Sequence, residues 1–396
     1  MRIGIDIRAI GKQRTGDETY TLQLIKNLMS EDIKNKYFLY TDTKNKKNLQ
    51  RINNLLKITN NNFKIVSITP AYKLLWTMFF LARQAKRDSL DILHVQYITP
   101  LFLSKKIKLI TTVHDISFAR YSRFISKKDL LILKLFIPLS LKKADKIIAV
   151  SSFTKEEIIK VYKINGAKIK IIYNGGVAKD FQKKISEKQV LNFRKKYDIM
   201  KPYLLYLGTL QPRKNISFLI KAFIALKVKY KDKKEINELE LAIRGEKKGH
   251  NYDQKIDSLL ANIKQKHKDI YSKIKFIGYI PNEQAPLIFK GAKIFCFPSF
   301  YEGFGLPLLE AMSQGTPVIA NNKSCFPEII KEAGIIYELN NYEEWSNGIL
   351  KLLENKEARQ SIVTKGYKRV KDFSWNKNAQ QTINLYEDTF NSHQYK

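Results

Sequence analysis

Cysteine is almost missing from this chain of 396 residues: only Cys296 and Cys325 occur. Both lie in segments that read as buried, which excludes a disulfide framework and a zinc-ligand spacing and fits a reducing, cytoplasmic setting. Five histidines form no cluster of metal-ligand spacing and no Asp-x-Asp pair is present, so no metal is expected. The opening "MRIGIDIRAIG" alternates like a strand and carries Arg2, Asp6 and Arg8, where a signal peptide needs an apolar stretch. The longest apolar runs, "LLWTMFFLA" and "LLILKLFIPLSL", fall short of the roughly 20 residues that cross a bilayer. Low-complexity tracts are lacking too, and with 44% hydrophobic residues the chain is expected to fold throughout.

Acidic residues are scarce, 37 against 71 lysines and arginines, and the net charge is +34. Such a surplus draws a protein toward polyanions: nucleic acid, anionic lipid or phosphorylated small molecules. The competing account is compositional, because the lysines are scattered and the chain is rich in Lys, Ile and Asn, as proteins of AT-rich genomes are. No nucleic-acid-binding motif accompanies the charge, so nucleic acid is not the expected partner.

What is present is an α/β alternation, twice. Short apolar strands ("RIGIDI", "YFLYT", "KIVSI", "DILHVQ", "KLITTVHD", "KIIAVS") are separated by helical stretches such as Tyr20 to Met29 and Lys155 to Tyr162. The pattern restarts with "YLLYLGT", "ELAIRG", "IKFIGYI", "KIFCFPS", "PVIAN" and "AGIIYE". Two doubly wound, Rossmann-like domains with parallel sheets follow. The polar, charged stretch from Ala178 to Lys201 marks the boundary, giving an N-terminal domain 1–185 and a C-terminal domain 186–373. Residues 374–396 form a last helix, with Ser374 as its cap and Ile383, Tyr386 and Phe390 at helical spacing. It is expected on an outer surface, crossing back to the N-terminal domain. Open parallel sheets bind ligands beyond the carboxyl ends of their strands, which places the expected site in a cleft between facing domains.

The motifs sit where that rule puts them. After "KIFCFPS" the chain turns through "YEGFGLP" into "LLEAM", with Pro307 suited to a first helical turn. The amides of Phe304, Gly305 and Leu306 then stand at a helix N-terminus, where free donors and partial positive charge suit a phosphate or diphosphate. Glu302 leads into the loop, and Glu310, about one turn inside the helix, can accept hydrogen bonds from a diol. Taken singly, either glutamate could be an ordinary helix carboxylate. In "LYLGTLQPRKNISFLIKAF", Arg213 and Lys214 follow a strand and can neutralise a departing diphosphate. "LITTVHDISF" places His114 and Asp115 at another strand end, structural or catalytic. "GKQRTGDETYTLQLI" sets Gly11 and Gly16 ahead of a helix, as close ligand approach would require. "YSRFISKKDLLILKLFIPLSLKK", from Tyr121 to Lys143, mixes aromatic, aliphatic and basic residues, and either packs into the core or lies at an anionic lipid surface.

With "PSFYEGFGLPLLEAMSQGTPVIA" in hand, the chain closely resembles the family 4 glycosyltransferases, the "group 1" family of retaining sugar-nucleotide enzymes with the GT-B fold. The resemblance runs from "GIDIRAIG" and "TGDETYTLQL" through "VHDISF", "ADKIIAVSSFTKEEI", "IIYNGG", "LYLGTLQPRKN" and "FIGYIPNEQ" to "NNKSCFPEI" and "FSW". It implies that Glu302 contacts donor-sugar hydroxyls or the developing sugar cation, Glu310 the ribose, and the amides of Phe304 to Leu306 the diphosphate. It also implies that Arg213 and Lys214 bind the same diphosphate, backbone near Tyr279 and Ile280 meets the base, His114 stands near the reacting sugar, and Gly16 belongs to a glycine loop facing the phosphates. Two departures are visible: Thr209 stands where many relatives have arginine, and Glu18 and Thr19 replace a second glycine and an arginine in the first loop.

The expected protein is a retaining hexosyltransferase, leaning to the mannosyltransferase-like branch, with GDP-mannose or a UDP-sugar as donor, no cofactor, and a glycan or lipid-linked acceptor. It is expected in the cytoplasm or on the inner face of the membrane. The rivals are a glycoside hydrolase built on the glutamate pair, a basic membrane-surface or nucleic-acid binder without transferase activity, and a sugar-nucleotide epimerase, which the "EGFGLPLLEA" segment matches poorly.

Overall fold

A computed structural model describes residues 1–11, 16–69, 73–247 and 251–392 and divides into two compact units. The first comprises Met1–Arg120, Lys127–Gly175 and Phe373–Lys396, the second Tyr121–Ser126 and Gly176–Asp372. The main chain thus passes from first to second at Gly175–Gly176, ahead of the charged stretch that suggested 185/186.

In the first unit seven strands form a parallel sheet: β1 Arg2–Asp6, β2 Lys36–Thr41, β3 Phe63–Ser67, β4 Ile92–Gln96, β5 Lys108–Val113, β6 Lys146–Ala149 and β7 Ile169–Ile171, in the order β3-β2-β1-β4-β5-β6-β7. The central strands are buried on both faces, as a sheet covered by helices on each side requires. The winding reverses between β1 and β4, which opens a crevice at their carboxyl ends. The six strands read from the sequence are all present; β7, three residues at the sheet edge, was not foreseen.

The helix Ser152–Tyr162 starts at Ser151, whose Oγ accepts from the Thr154 amide at 3.0 Å. The last helix, Trp375–Asn391, begins at Ser374, which accepts from the Lys377 amide, and packs against the helix Gly16–Glu31. Gly175 makes that return fit: a Cβ there would lie 2.1 Å from the Trp375 amide nitrogen.

The second unit repeats the plan with β8 Tyr203–Leu207, β9 Glu240–Arg244, β10 Ile274–Phe276, β11 Ile294–Phe297, β12 Val318–Asn321 and β13 Ile335–Tyr337, ordered β10-β9-β8-β11-β12-β13 and all parallel. Its switch point lies between β8 and β11. An aromatic column, Phe289, Phe295, Phe297 and Phe326, fills the core with ring centroids 5.2–5.5 Å apart. The polar stretch read as the domain boundary is partly a helix, Glu187–Lys196, started by a capping box between Ser186 and Gln189. Among the described residues no helix is long and apolar enough to cross a membrane.

Candidate active site

The switch point of the second unit puts the loops after β8 and β11 side by side. After β8 a tight turn, Pro212–Lys214, ends on Asn215 in the left-handed conformation (φ 55°) and feeds the helix Ile216–Lys229. The Phe300 amide donates to the Arg213 carbonyl at 2.8 Å and Arg213 donates to the Tyr301 carbonyl at 3.0 Å, which locks the two loops together. Between them sits Glu302, only 9% exposed. One carboxylate oxygen accepts from Lys214 Nζ, and the other lies 3.4 Å from the Arg213 guanidinium. Lys214 is itself 8% exposed and stands 5.5 Å over the Phe297 ring. Burial pulls the Glu302 pKa upward, but Lys214 and Arg213 outweigh it and hold the carboxyl below the usual range, so Glu302 is ionised at neutral pH.

Ser324, in the loop after β12, was not foreseen as part of this cluster. Its hydroxyl accepts from the Glu302 amide at 2.9 Å and donates to the Glu302 carbonyl at 2.6 Å, fixing the backbone on which the carboxylate rides. Its place after a strand end in "NNKSCFPEI" was the available signal.

Beyond Glu302 the chain turns at Gly305 (φ 87°), where a side chain would be strained, into the helix Leu306–Ser313 with Pro307 in its first turn. Phe304 is buried, Leu306 and Glu310 are half-buried, and Glu310 lies in the second turn. Tyr279 and Ile280 stand beyond the carboxyl end of β10, at the sheet edge: Ile280 is buried, while Tyr279 is exposed, with the Arg244 guanidinium 5.5 Å over its ring. Arg213, Lys214 and Glu302, read from the sequence as separate participants, are therefore one ionic cluster, with Lys214 and Glu302 buried and Arg213 half-buried.

In the first unit His114 follows β5 directly and is 9% exposed. Its Nε2 lies 3.0 Å from Gln96 Oε1, while the Gln96 amide nitrogen donates to Thr21 Oγ1 and Thr21 donates to the Asp17 carbonyl at 2.7 Å. In this chain of donors Gln96 Oε1 can only accept, so the proton of neutral His114 sits on Nε2. Burial lowers the His114 pKa against the pull of Asp17, 3.9 Å away, and Asp115. Tyr20 packs its ring edge on His114 at 4.7 Å and shares Thr112 with a second histidine, His94. His94 also meets the Tyr386 hydroxyl at 2.6 Å, and burial pushes its pKa down to about 3.

Gly16 opens the helix Gly16–Glu31, is exposed, and would find nothing within 4 Å of an added Cβ. Asp17, next to Gly16, lies beside His114, and Glu18, one of the two departures, accepts the Gly11 amide at 2.8 Å. The remainder of that loop, 12–15, lies outside the described residues.

With both sites in place, the likeness to known proteins is decisive. Residues 14–176 match the profile of Glycosyltransferase Family 4, and residues 188–369 that of Glycosyl transferases group 1. The chain belongs to the group 1 glycosyltransferases. It is 31% identical to the O-antigen chain mannosyltransferase B of Escherichia coli over 281 residues, 71% of this chain and 70% of that one. Among solved structures, a sucrose-phosphate synthase from Thermosynechococcus elongatus superposes with a TM-score of 0.75 over 99% of both chains at 19% identity. Anabaena HepE, solved with UDP-glucose, gives 0.72 over 98% of this chain and 100% of that one at 15% identity. These two likenesses carry the fold alone, the GT-B fold of this glycosyltransferase. The family profiles and the mannosyltransferase relative favour none of the hydrolase, epimerase and pure binding readings.

Proposed function

We propose that this glycosyltransferase moves a hexose, mannose first among the candidates, from a nucleoside-diphosphate donor to a hydroxyl of a growing glycan or lipid-linked saccharide, with the anomeric configuration retained. The carrying observation is the ionised Glu302 held between Lys214 and Arg213 at the switch point of the second unit. Two cations and the glycine turn at Gly305 suit a diphosphate that gains charge as it leaves, and they ask for no cofactor. Glu302 stays anionic beside them and can meet sugar hydroxyls or positive charge developing at the anomeric carbon. Glu310 would take the ribose, and the backbone at Tyr279 and Ile280 the base. His114, neutral and with its Nε2 proton committed to Gln96, offers Nδ1 as an acceptor for a sugar hydroxyl rather than a cation.

Mannose is favoured by the name of the Escherichia coli relative and a UDP-sugar by the ligand of HepE. An acceptor carried on lipid would place the enzyme on the inner face of the membrane. A calorimetric screen of GDP-mannose against UDP-sugars tests the donor, and NMR of the product tests retention. Tight binding of one donor with acceptor-dependent nucleotide release supports the proposal. No binding of any nucleoside-diphosphate sugar, or a product of inverted configuration, overturns it.

A further inference from the structure

Exposed apolar side chains scattered singly over a surface are ordinary, but a contiguous patch marks an interaction site. Of the sixteen large apolar side chains most exposed among the described residues, eight lie in three segments of the first unit. Leu131, Leu135 and Leu139 form a stripe along the helix Lys127–Lys143, with 71%, 56% and 44% of their surfaces exposed. Ile137, Ser140 and Leu141, about half a turn away, face the core.

The next segment is tied to the end of that helix: the Thr99 amide donates to Ser140 Oγ at 2.9 Å, and Lys143 Nζ donates to the Pro100 and Leu101 carbonyls. This brings exposed Leu101 and Phe102 alongside the stripe. The Phe102 ring stacks on Phe79 at 5.0 Å, extending the patch into a third segment. There Trp76 is fully buried, donates to the Ile68 carbonyl at 2.9 Å, and holds Phe79 and Leu75 outward on a rigid base.

Charge decides what covers this face. Stretches 76–87, 99–106 and 127–143 together contain ten lysines and arginines and a single acid, Asp129, whereas the whole chain has 71 against 37. Exposed Lys128 and Lys142 stand three residues beyond either end of the leucine stripe, in helical register with it. An apolar stripe rimmed by lysines is the pattern that beds side chains into acyl chains while ammonium groups meet phosphates.

We infer that this face docks the enzyme on an anionic phospholipid bilayer, with Leu131, Leu135, Leu139, Phe79 and Phe102 entering the interface. The inference rests on the lipid-linked acceptor for its purpose, but lipid binding is measured without donor or acceptor, so either idea can fail while the other stands.

The experiment is flotation of the full chain with vesicles of phosphatidylcholine alone and of phosphatidylcholine with phosphatidylglycerol, at low and high salt. The wild type is expected to float with the anionic vesicles at low salt and to be released at high salt. Leu131→Gln/Leu135→Gln/Leu139→Gln is expected to partition at least roughly tenfold more weakly. Its donor binding and melting temperature should remain those of the wild type, because these side chains already face water. Failure to float, equal flotation with neutral vesicles, or a triple variant that floats like the wild type overturns the inference. So does a solution dimer that the substitutions dissolve in the absence of flotation, which would give the face to a second copy of the chain.

Discussion

Glu302 in the second unit and His114 in the first are each 9% exposed, and each stands beyond the carboxyl end of a parallel strand, Glu302 at its sheet's switch point and His114 one strand away from its own. Their surroundings treat burial in opposite ways. Around Glu302 the cost of burying a charge is offset by two cations, and the carboxyl stays ionised. Around His114 and His94 burial lowers both pKa values; among the described residues the neutral partners Gln96, Thr112 and Tyr386 bond His114 Nε2 and both His94 nitrogens, and the Asp17 carboxylate lies 3.9 Å from His114. The two units thus answer burial differently, one by pairing the charge and the other by lowering the proton affinity of its rings. Under the proposed function, the first arrangement would serve the leaving diphosphate and the second the sugar hydroxyls.

The sharpest way to break this contrast is to remove a cation. Lys214→Met is expected to lower kcat/KM by about 2–4 kcal/mol, the usual effect of losing one stabiliser of developing charge. It should also destabilise the fold by roughly 3–5 kcal/mol, because Glu302 loses half its pairing inside the protein. The double variant Lys214→Met/Glu302→Gln should recover much of the stability and none of the activity, which separates the structural role from the catalytic one. Steady-state kinetics and urea unfolding on the three proteins would show this; a loss of activity below about tenfold in Lys214→Met makes the lysine a bystander. Glu302→Gln alone should cost roughly a hundredfold in kcat. Nucleoside diphosphate should bind at least as tightly, since both cations are then released to the ligand. Weaker binding, by calorimetry, would contradict the shared cluster.

Acid should distinguish the two units. An unfolded histidine takes up its proton near pH 6.5, whereas folded His94 does so only at about 3. Between those values the unfolded chain binds more protons, so stability is full above the higher one and falls as the solution is acidified. The slope from His94 approaches about 1.4 kcal/mol per pH unit. Glu302, with a lowered folded pKa, keeps its contribution until the pH drops below the ordinary carboxylate value of about 4.3 and through its folded pKa. Melting temperatures between about pH 5 and 7 should therefore decline in the wild type and decline less in His94→Gln. Equal slopes would show that His94 is not the group responsible.

Twelve of the thirteen strands were legible because apolar runs bounded by turns survive in any context; "IKI" is too short to stand out. Each member of the ionic cluster could be placed at a ligand edge from its position after a strand. Their pairing could not, because Lys214 and Glu302 are 88 residues apart and meet only since β8 and β11 are neighbours. His94 was silent: inside "DILHVQ" it reads as strand filling, and its partner Tyr386 lies 292 residues away. The segment 121–143 was ambiguous because its mix of aromatic, aliphatic and basic residues suits either the core or a surface; in the structure Ile137, Ser140 and Leu141 are buried and Leu131, Leu135 and Leu139 are exposed.

The smallest effect concerns two glycines that the sequence grouped by chemistry and the structure separates by cause. Gly305 holds φ 87°, and a Cβ would approach Leu308 at 3.1 Å, so Gly305→Ala should cost about 1–2 kcal/mol of stability through the backbone alone. Gly16 has no such constraint: space around it is open and it sits at the start of a helix. Gly16→Ala should hold stability or raise it by less than about 1 kcal/mol, since alanine lowers the entropy of the unfolded chain. If the glycine is there so that donor phosphates can approach the backbone, the methyl group will raise the donor KM several-fold while the melting temperature holds. If neither KM nor melting temperature moves, Gly16 is an ordinary helix start, and recognition of the diphosphate rests on the second unit.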